Sequence, residues 1–75
     1  MNLFKTETLE RNRSIFINLD NVTAIWKNKG DETAVFDCIG TDDERTYYTN
    51  EPYEKVIKRI LQGDLLGEDK WLKNQ

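Results

Sequence analysis

The chain has 75 residues, of which 37 % are hydrophobic and 33 % charged, and its net charge is −3. This length fits a single small domain, residues 1–75, and an aromatic content of 11 % is too high for a disordered chain. The acidic balance excludes the basic stripe that nucleic-acid-binding proteins usually carry, so we expect no direct binding to nucleic acid.

Five stretches in the first two thirds of the chain have the residue types and the two-residue period of β-strands. They are residues 3–9, 14–19, 22–27, 33–39 and 45–49. Short polar turns separate them at roughly ten-residue spacing, a pattern typical of an antiparallel sheet. The sequence therefore predicts a β-meander of four to five strands over about residues 3–49.

The hydrophobic period changes to 3.6 residues after Asn50, which predicts an α-helix over about residues 51–62. Asn50 or Glu51 can cap the start of this helix, and Pro52 suits its first turn, where a missing N–H costs nothing. Gly63 is expected to end the helix.

The two sides of this helix differ in polarity. Its predicted apolar stripe comprises Tyr53, Val56, Ile57, Ile60 and Leu61. Its solvated side is expected to carry the basic residues Lys55, Lys58 and Arg59. The prediction is a small α+β fold in which the sheet packs on one C-terminal helix, followed by an apolar tail over residues 63–75 that folds over one end of the sheet.

The single cysteine and the hydropathy of the chain predict its cellular compartment. Cys38 is the only cysteine, so no disulfide can form within the chain, and this fits a reducing compartment. The first residues lack the apolar segment of a signal peptide, and no run approaches the ~20 apolar residues of a membrane span. We therefore expect a cytoplasmic protein that does not bind membranes.

Catalytic chemistry has few candidate residues in this sequence. There is no histidine, which is the usual general acid or base at neutral pH, and no cysteine pair. The glycines form no phosphate-binding loop, and the ligand spacing of a calcium loop is absent. We therefore expect a non-enzymatic protein that has no cofactor and no metal site.

The aromatic residues exceed what a single sheet with one buried face requires. Trp26 directly follows Ile25, so in a regular strand only one of the two side chains can enter the core. Either the tail or a partner must then cover the remaining apolar surface. The residues predicted to bind a partner are Phe16, Trp26, Tyr47 and Tyr48. Trp26 is the expected anchor, because tryptophan is enriched at binding hot spots.

Two of the predicted turns are rich in carboxylates. If both turns lie at one end of the sheet, their side chains form a local acidic patch. The patch would comprise Asp31, Glu32, Asp42, Asp43 and Glu44. Such a patch could present carboxylates where the phosphates of a nucleic acid would bind.

Residues 14–60, with "FINLDNVTAI" and "YEKVIKRI", resemble the small flagellar swarming-motility protein family. The matching positions are Asn18, Asp20, Val22 and Ile25, the strand with Tyr47 and Tyr48, then residues 53–57 and Ile60. The chain departs from the family in its longer tail, its acidic turn at residues 42–44 and its Trp26. The resemblance implies a β-meander followed by a helix, and it supplies no catalytic residue.

These observations leave several binding functions open. The first is a small protein–protein interaction module of bacterial or phage origin, for which a second copy of the chain is one candidate partner. The alternative is a phage-encoded anti-defence inhibitor. That inhibitor would either mimic nucleic acid through the acidic patch or sequester a nucleotide ligand, with Arg45 beside Tyr47 as the local cation. We expect the first of these functions.

Overall fold

The structure is a computed structural model that describes residues 2–40 and 44–67. In this part of the chain, five antiparallel strands form two sheets that pack against one C-terminal helix. The elements are β1 (Leu3–Glu7), β2 (Ser14–Asn18), β3 (Val22–Lys27), β4 (Thr33–Ile39), β5 (Glu44–Pro52) and α1 (Tyr53–Gln62). The predicted α+β class is confirmed, and the strands are divided between a two-stranded and a three-stranded sheet.

The chain passes from one sheet to the other between β2 and β3. β1 and β2 form the first sheet, and a short 3-10 helix over Leu19–Asn21 then leads into β3. The Asn18 side chain accepts a hydrogen bond from the backbone N–H of Asp20 at 3.0 Å, which fixes this corner. The predicted reversal at Asp20-Asn21 is therefore a change of sheet, and β2 and β3 are not neighbours in either sheet.

β5 connects the two sheets. It pairs with β4 in the meander β3-β4-β5, and an isolated bridge joins its Thr49 to Thr8, directly after β1. The backbone N–H of Leu9 also donates to the carbonyl oxygen of Tyr48 at 2.8 Å. Beyond this bridge the two sheets diverge, and side chains of α1 fill the space between β1 and β5.

The core lies between the two sheets and the helix. Its fully or nearly fully buried side chains are Phe4, Ile17, Ala34, Phe36 and Val56. The rings of Phe4 and Phe36 meet at a centroid distance of 5.4 Å, so one aromatic pair joins the first sheet to the second. In β4 the alternation places Ala34, Phe36 and Cys38 toward this core, as expected for a strand with one buried face.

The helix starts and ends through backbone hydrogen bonds. Pro52 occupies the N-cap position without a side-chain hydrogen bond, so the predicted capping by Asn50 or Glu51 is wrong. The N–H of Tyr53 instead donates to the carbonyl oxygen of Glu32 in the β3–β4 turn, at 2.9 Å. Gly63 ends the helix as predicted, because its φ of 76° is readily adopted only by glycine.

The buried side of α1 is turned relative to the predicted stripe. Leu61 is 81 % exposed, whereas Arg59, which was expected on the solvated side, is only 7 % exposed. Val56 is fully buried one turn before Arg59, and Ile60 packs against the core beside it. The predicted position of Arg59 is therefore wrong, because this cation has partners inside the fold.

The Arg59 guanidinium fills the space where the two sheets diverge. Its Nη1 lies 2.8 and 2.7 Å from the two carboxylate oxygens of Glu51. Its Nη2 donates to the carbonyl oxygen of Lys5 at 2.9 Å, and the guanidinium carbon lies 4.2 Å from the centroid of the Phe4 ring. One side chain thus links β1, β5 and the core.

The segment after the helix covers the open edge of β1. The carbonyl oxygens of Asp64 and Leu65 accept further hydrogen bonds from Arg59, at 3.2 Å each. The carbonyl oxygen of Leu65 also accepts from the N–H of Lys5 at 2.7 Å, and the Leu65 side chain packs against the core. The predicted folding of the tail, residues 63–75, over one end of the sheet stays a prediction, because Trp71 and Leu72 lie outside the described residues.

Candidate functional site

The candidate site is the side of the sheet β3-β4-β5 that points away from the core, which we call the outer face. Its central residues are Ala24, Trp26, Val35, Asp37, Thr46 and Tyr48. The register of β3 shifts between Val22 and Ala24, so the chain bulges there. The bulge lets both Val22 and Ile25 pack against the core while Trp26 points to the other side.

Trp26 and Tyr48 form an aromatic pair across the outer face. Both are in register with Val35, one on each side of β4. Two strand spacings, about 9–10 Å, separate β3 from β5. The ring centroids, however, are 6.1 Å apart, with the planes at 82°. The two rings therefore lean toward each other over Val35, which is fully buried although it lies outside the main core.

Asp37 fixes the orientation of the Trp26 ring. The indole Nε1–H donates to Oδ2 of Asp37 at 3.1 Å, and the Thr46 hydroxyl donates to Oδ1 at 3.0 Å. Thr46 of β5 thus fixes the Asp37 carboxylate, and this carboxylate fixes the Trp26 indole of β3. Trp26 and Tyr48 nevertheless remain 38 % and 47 % exposed, so the pair offers a rigid apolar surface to solvent.

Phe16 and Tyr47, the other two predicted binding residues, lie elsewhere. Tyr47 points to the opposite side of β5 from Tyr48 and packs against the core, and Phe16 lies on β2 with 58 % exposure. Both border a second opening of about 310 Å³, together with Arg45 and Ile39. The structure therefore divides the four predicted aromatic residues into two separate pairs.

The predicted acidic patch is not assembled by the described residues. Asp31 and Glu32 lie in the β3–β4 turn and Glu44 begins β5, so the seven residues of β4, roughly 20 Å, separate them. Consecutive turns of a meander lie at opposite ends of the sheet, which the sequence prediction overlooked. Asp42 and Asp43 lie outside the described residues.

Asp31 has a structural role in its turn. Its Oδ1 accepts hydrogen bonds from the hydroxyl of Thr33 at 2.6 Å and from the Thr33 N–H at 3.2 Å. These hydrogen bonds lower the pKa of the Asp31 carboxyl below its usual range. The bond from the Thr33 hydroxyl has the larger effect, and the bond from the Thr33 N–H has the smaller one. The carboxylate is therefore engaged in shaping the start of β4.

Cys38 is half-buried on the core side of β4. Burial raises the pKa of its thiol, and the neighbouring negative charge of Asp37 adds to this effect. The thiolate, which is the nucleophilic form, is therefore scarcer at neutral pH than in a free cysteine. Cys38 therefore acts as a small apolar side chain packed against the core.

We accordingly expect Cys38 to react slowly with iodoacetamide at pH 7.5 in the folded protein. The rate should rise as the pH increases toward the raised thiol pKa, and it should reach that of a free cysteine in concentrated urea. Mass spectrometry of the labelled chain over time gives both rates. Equal rates in buffer and in urea would contradict the burial of this thiol.

Residues 2–40 and 44–67 hold no cluster of metal ligands and no membrane-spanning helix. Within these ranges, no three His, Cys, Asp or Glu side chains are close enough together to hold a metal ion. The one α-helix in these ranges, α1, has 10 residues and is too short and polar to cross a bilayer.

Comparisons with protein-family models, with curated proteins and with solved structures return no match. None of them bears on the resemblance to the swarming-motility family, which stays a prediction. The outer face is therefore the basis for the proposed function. Two of its residues, Val35 and Asp37, were not predicted from the sequence, because their roles depend on the register of β4 with its neighbours.

Proposed function

We propose that this chain is a small non-catalytic, cytoplasmic protein–protein interaction module that binds through its outer face. The observation that carries the proposal is the Trp26–Tyr48 pair, which is exposed on a sheet yet held by Asp37 and Val35. A second copy of the chain is the first candidate partner. The wider alternative, an anti-defence inhibitor, stays a prediction.

The geometry of the pair suits binding for two reasons. Aromatic side chains supply a large contact area, and hot spots of interfaces are enriched in tryptophan and tyrosine. Because the indole is already hydrogen-bonded and the rings pack on Val35, little rotamer freedom remains to be lost when a partner covers them. Small neighbours, Ala24 and Thr46, leave the pair accessible from solvent.

The acidic form of the anti-defence alternative receives less support. The described acidic residues of the predicted patch lie at two ends of β4, so they do not present one local surface. The nucleotide-binding form would rest on the opening bordered by Phe16, Arg45 and Tyr47. Neither of the surfaces that these two forms would use carries a pre-oriented aromatic pair like Trp26 and Tyr48 on the outer face.

We expect Trp26→Ala to abolish partner capture while the protein stays folded. The change removes half of the aromatic pair and leaves the core side of β3 intact. Sedimentation velocity measures self-association, and capture from a bacterial lysate followed by mass spectrometry identifies other partners. Circular dichroism at the same concentration verifies that each variant is folded.

Phe16→Ala is the matched control, since it removes another exposed aromatic ring away from the outer face. It should leave self-association and capture unchanged. Tyr48→Ser provides a second test if Trp26→Ala loses its fold, because it removes the other ring at a more exposed position. Two folded variants that associate and capture as wild type does would overturn the proposal.

A further inference from the structure

A second candidate site lies beside α1, where the helix carries Lys55, Lys58 and Gln62. It is a cleft of about 620 Å³ between β1, the end of β5 and the helix. Its charged and polar lining includes Lys5, Glu7, Asn50, Glu51, Lys55 and Lys58. Its volume falls in the range of about 300–1,000 Å³ that is usual for sites of small molecules.

Three lysines border this cleft without an ion-pair partner among the described residues. Lys5 comes from β1, while Lys55 and Lys58 lie one turn apart on α1. By contrast, Lys27 at the end of β3 pairs with Glu54 at 2.9 Å. Three ammonium groups that form no ion pair with the described residues can attract an anion to this concave surface, most strongly at low salt.

Two of the carboxylates in the cleft are already engaged. Glu51 is bound by Arg59, and Glu7 accepts a hydrogen bond from the Asn50 amide at 3.0 Å. Asp64 is the remaining acid in the lining. Among the described residues, the four cations of the lining, Arg59 included, and these three acids give the cleft a net charge of +1, although the whole chain carries −3.

A buried hydroxyl in the cleft lining has no hydrogen-bond partner. Thr6 on β1 is 4 % exposed, and its Oγ1 is the buried side-chain polar atom for which the described residues supply no partner. Leaving a buried hydroxyl unpaired is destabilising. The oxygen is closed to solvent, so a ligand with acceptor oxygens can pair it once the Thr6 side chain turns toward the cleft. The unpaired hydroxyl is an observation independent of the lysines.

We propose that this cleft binds a small phosphate-bearing anion, with Lys55 and Lys58 neutralising its charge and the Thr6 hydroxyl donating to it. Lysine is a common phosphate ligand in proteins, where it acts as a point charge. The hydroxyl and amide groups of Ser14, Asn50 and Gln62 in the lining suit the hydroxyls of a phosphorylated sugar. The part of the lining formed by described residues contains no aromatic ring on which a nucleotide base could stack.

The test is a titration of the ¹⁵N-labelled protein with inorganic pyrophosphate, followed by NMR. We expect saturable shifts at the amides of Lys5, Thr6, Lys55 and Lys58. Shifts that are absent, or spread evenly over all lysines, would overturn the proposal. A titration with a short single-stranded oligonucleotide runs in parallel, and tighter binding of the oligonucleotide at the same residues would overturn the assignment to a small molecule.

Three variants distinguish a specific binding site from general electrostatic attraction. Lys55→Gln/Lys58→Gln should weaken pyrophosphate binding about tenfold, whereas the matched pair Lys27→Gln/Lys29→Gln, which removes the same charge elsewhere, should weaken it less than about twofold. Thr6→Val removes the hydroxyl while nearly keeping its shape, so it should weaken binding several-fold without lowering the melting temperature. Equal losses in the two double variants, or unchanged affinity in Thr6→Val, would overturn the proposal.

Discussion

Arg59→Met is expected to lower the free energy of unfolding by about 3–5 kcal/mol, the usual cost of breaking a buried ion pair by removing one partner. The substitution leaves the Glu51 carboxylate buried without its cation. It also removes the donors to the carbonyl oxygens of Lys5 and Leu65, which lie at the junction of the two sheets. Urea denaturation monitored by tryptophan fluorescence measures the change.

Lys58→Met is the matched control for this variant. It makes the same kind of substitution one position earlier on the exposed side of α1, where changes usually stay within about ±0.5 kcal/mol. The double variant Arg59→Met/Glu51→Leu should recover part of the loss, because it no longer buries an unpaired carboxylate. Similar urea midpoints for Arg59→Met and Lys58→Met would contradict the role assigned to Arg59.

Phe36→Ala is expected to destabilise the protein by about 3–5 kcal/mol, as large-to-small changes at buried phenylalanines do. Phe36 is fully buried in the central strand β4 and meets Phe4 of the other sheet. The neighbouring strands cannot close the resulting cavity without breaking their registers with β4, so little relaxation is available. Thermal unfolding followed by circular dichroism should show a lower melting temperature or no folded state.

Phe16→Ala provides the comparison within the same residue type. Phe16 also lies on a strand but is 58 % exposed, so its loss should cost well under ~1 kcal/mol. If the two alanine variants unfold at the same temperature, the core is not centred on Phe36. The comparison also verifies that the control used for the outer face leaves the fold intact.

The sequence predicted the elements of the fold well, because their signals are local. The period-two pattern located the strands, and the change of period at Asn50 located the helix that Gly63 ends. The opposite pointing of Ile25 and Trp26 followed from strand alternation alone. The apolar residues of a short helix, however, do not fix which neighbouring positions face the core. The sequence therefore predicted Leu61 to be buried and Arg59 to be exposed, and the structure shows the reverse.

Features that depend on long-range pairing could not be predicted. The division into two sheets rests on the corner at Leu19–Asn21, whose residues also suit a hairpin turn. The roles of Val35 and Asp37 depend on which residues of β3 and β5 stand beside them. The burial of Arg59 depends on Lys5, which is 54 positions away along the chain. The separation of the acidic turns, by contrast, could have been deduced from the meander topology itself.

The bulge in β3 has a consequence for how this protein meets other chains. β3 pairs only with β4, so its second edge presents backbone N–H and C=O groups that are unpaired within the sheets described. A flat edge of this kind is a template for strand addition and aggregation, but a bulge breaks the regular row of groups and twists the strand away from it. Further copies are therefore hindered from extending the sheet edge to edge, and the aromatic side of the sheet stays free for contact with a partner.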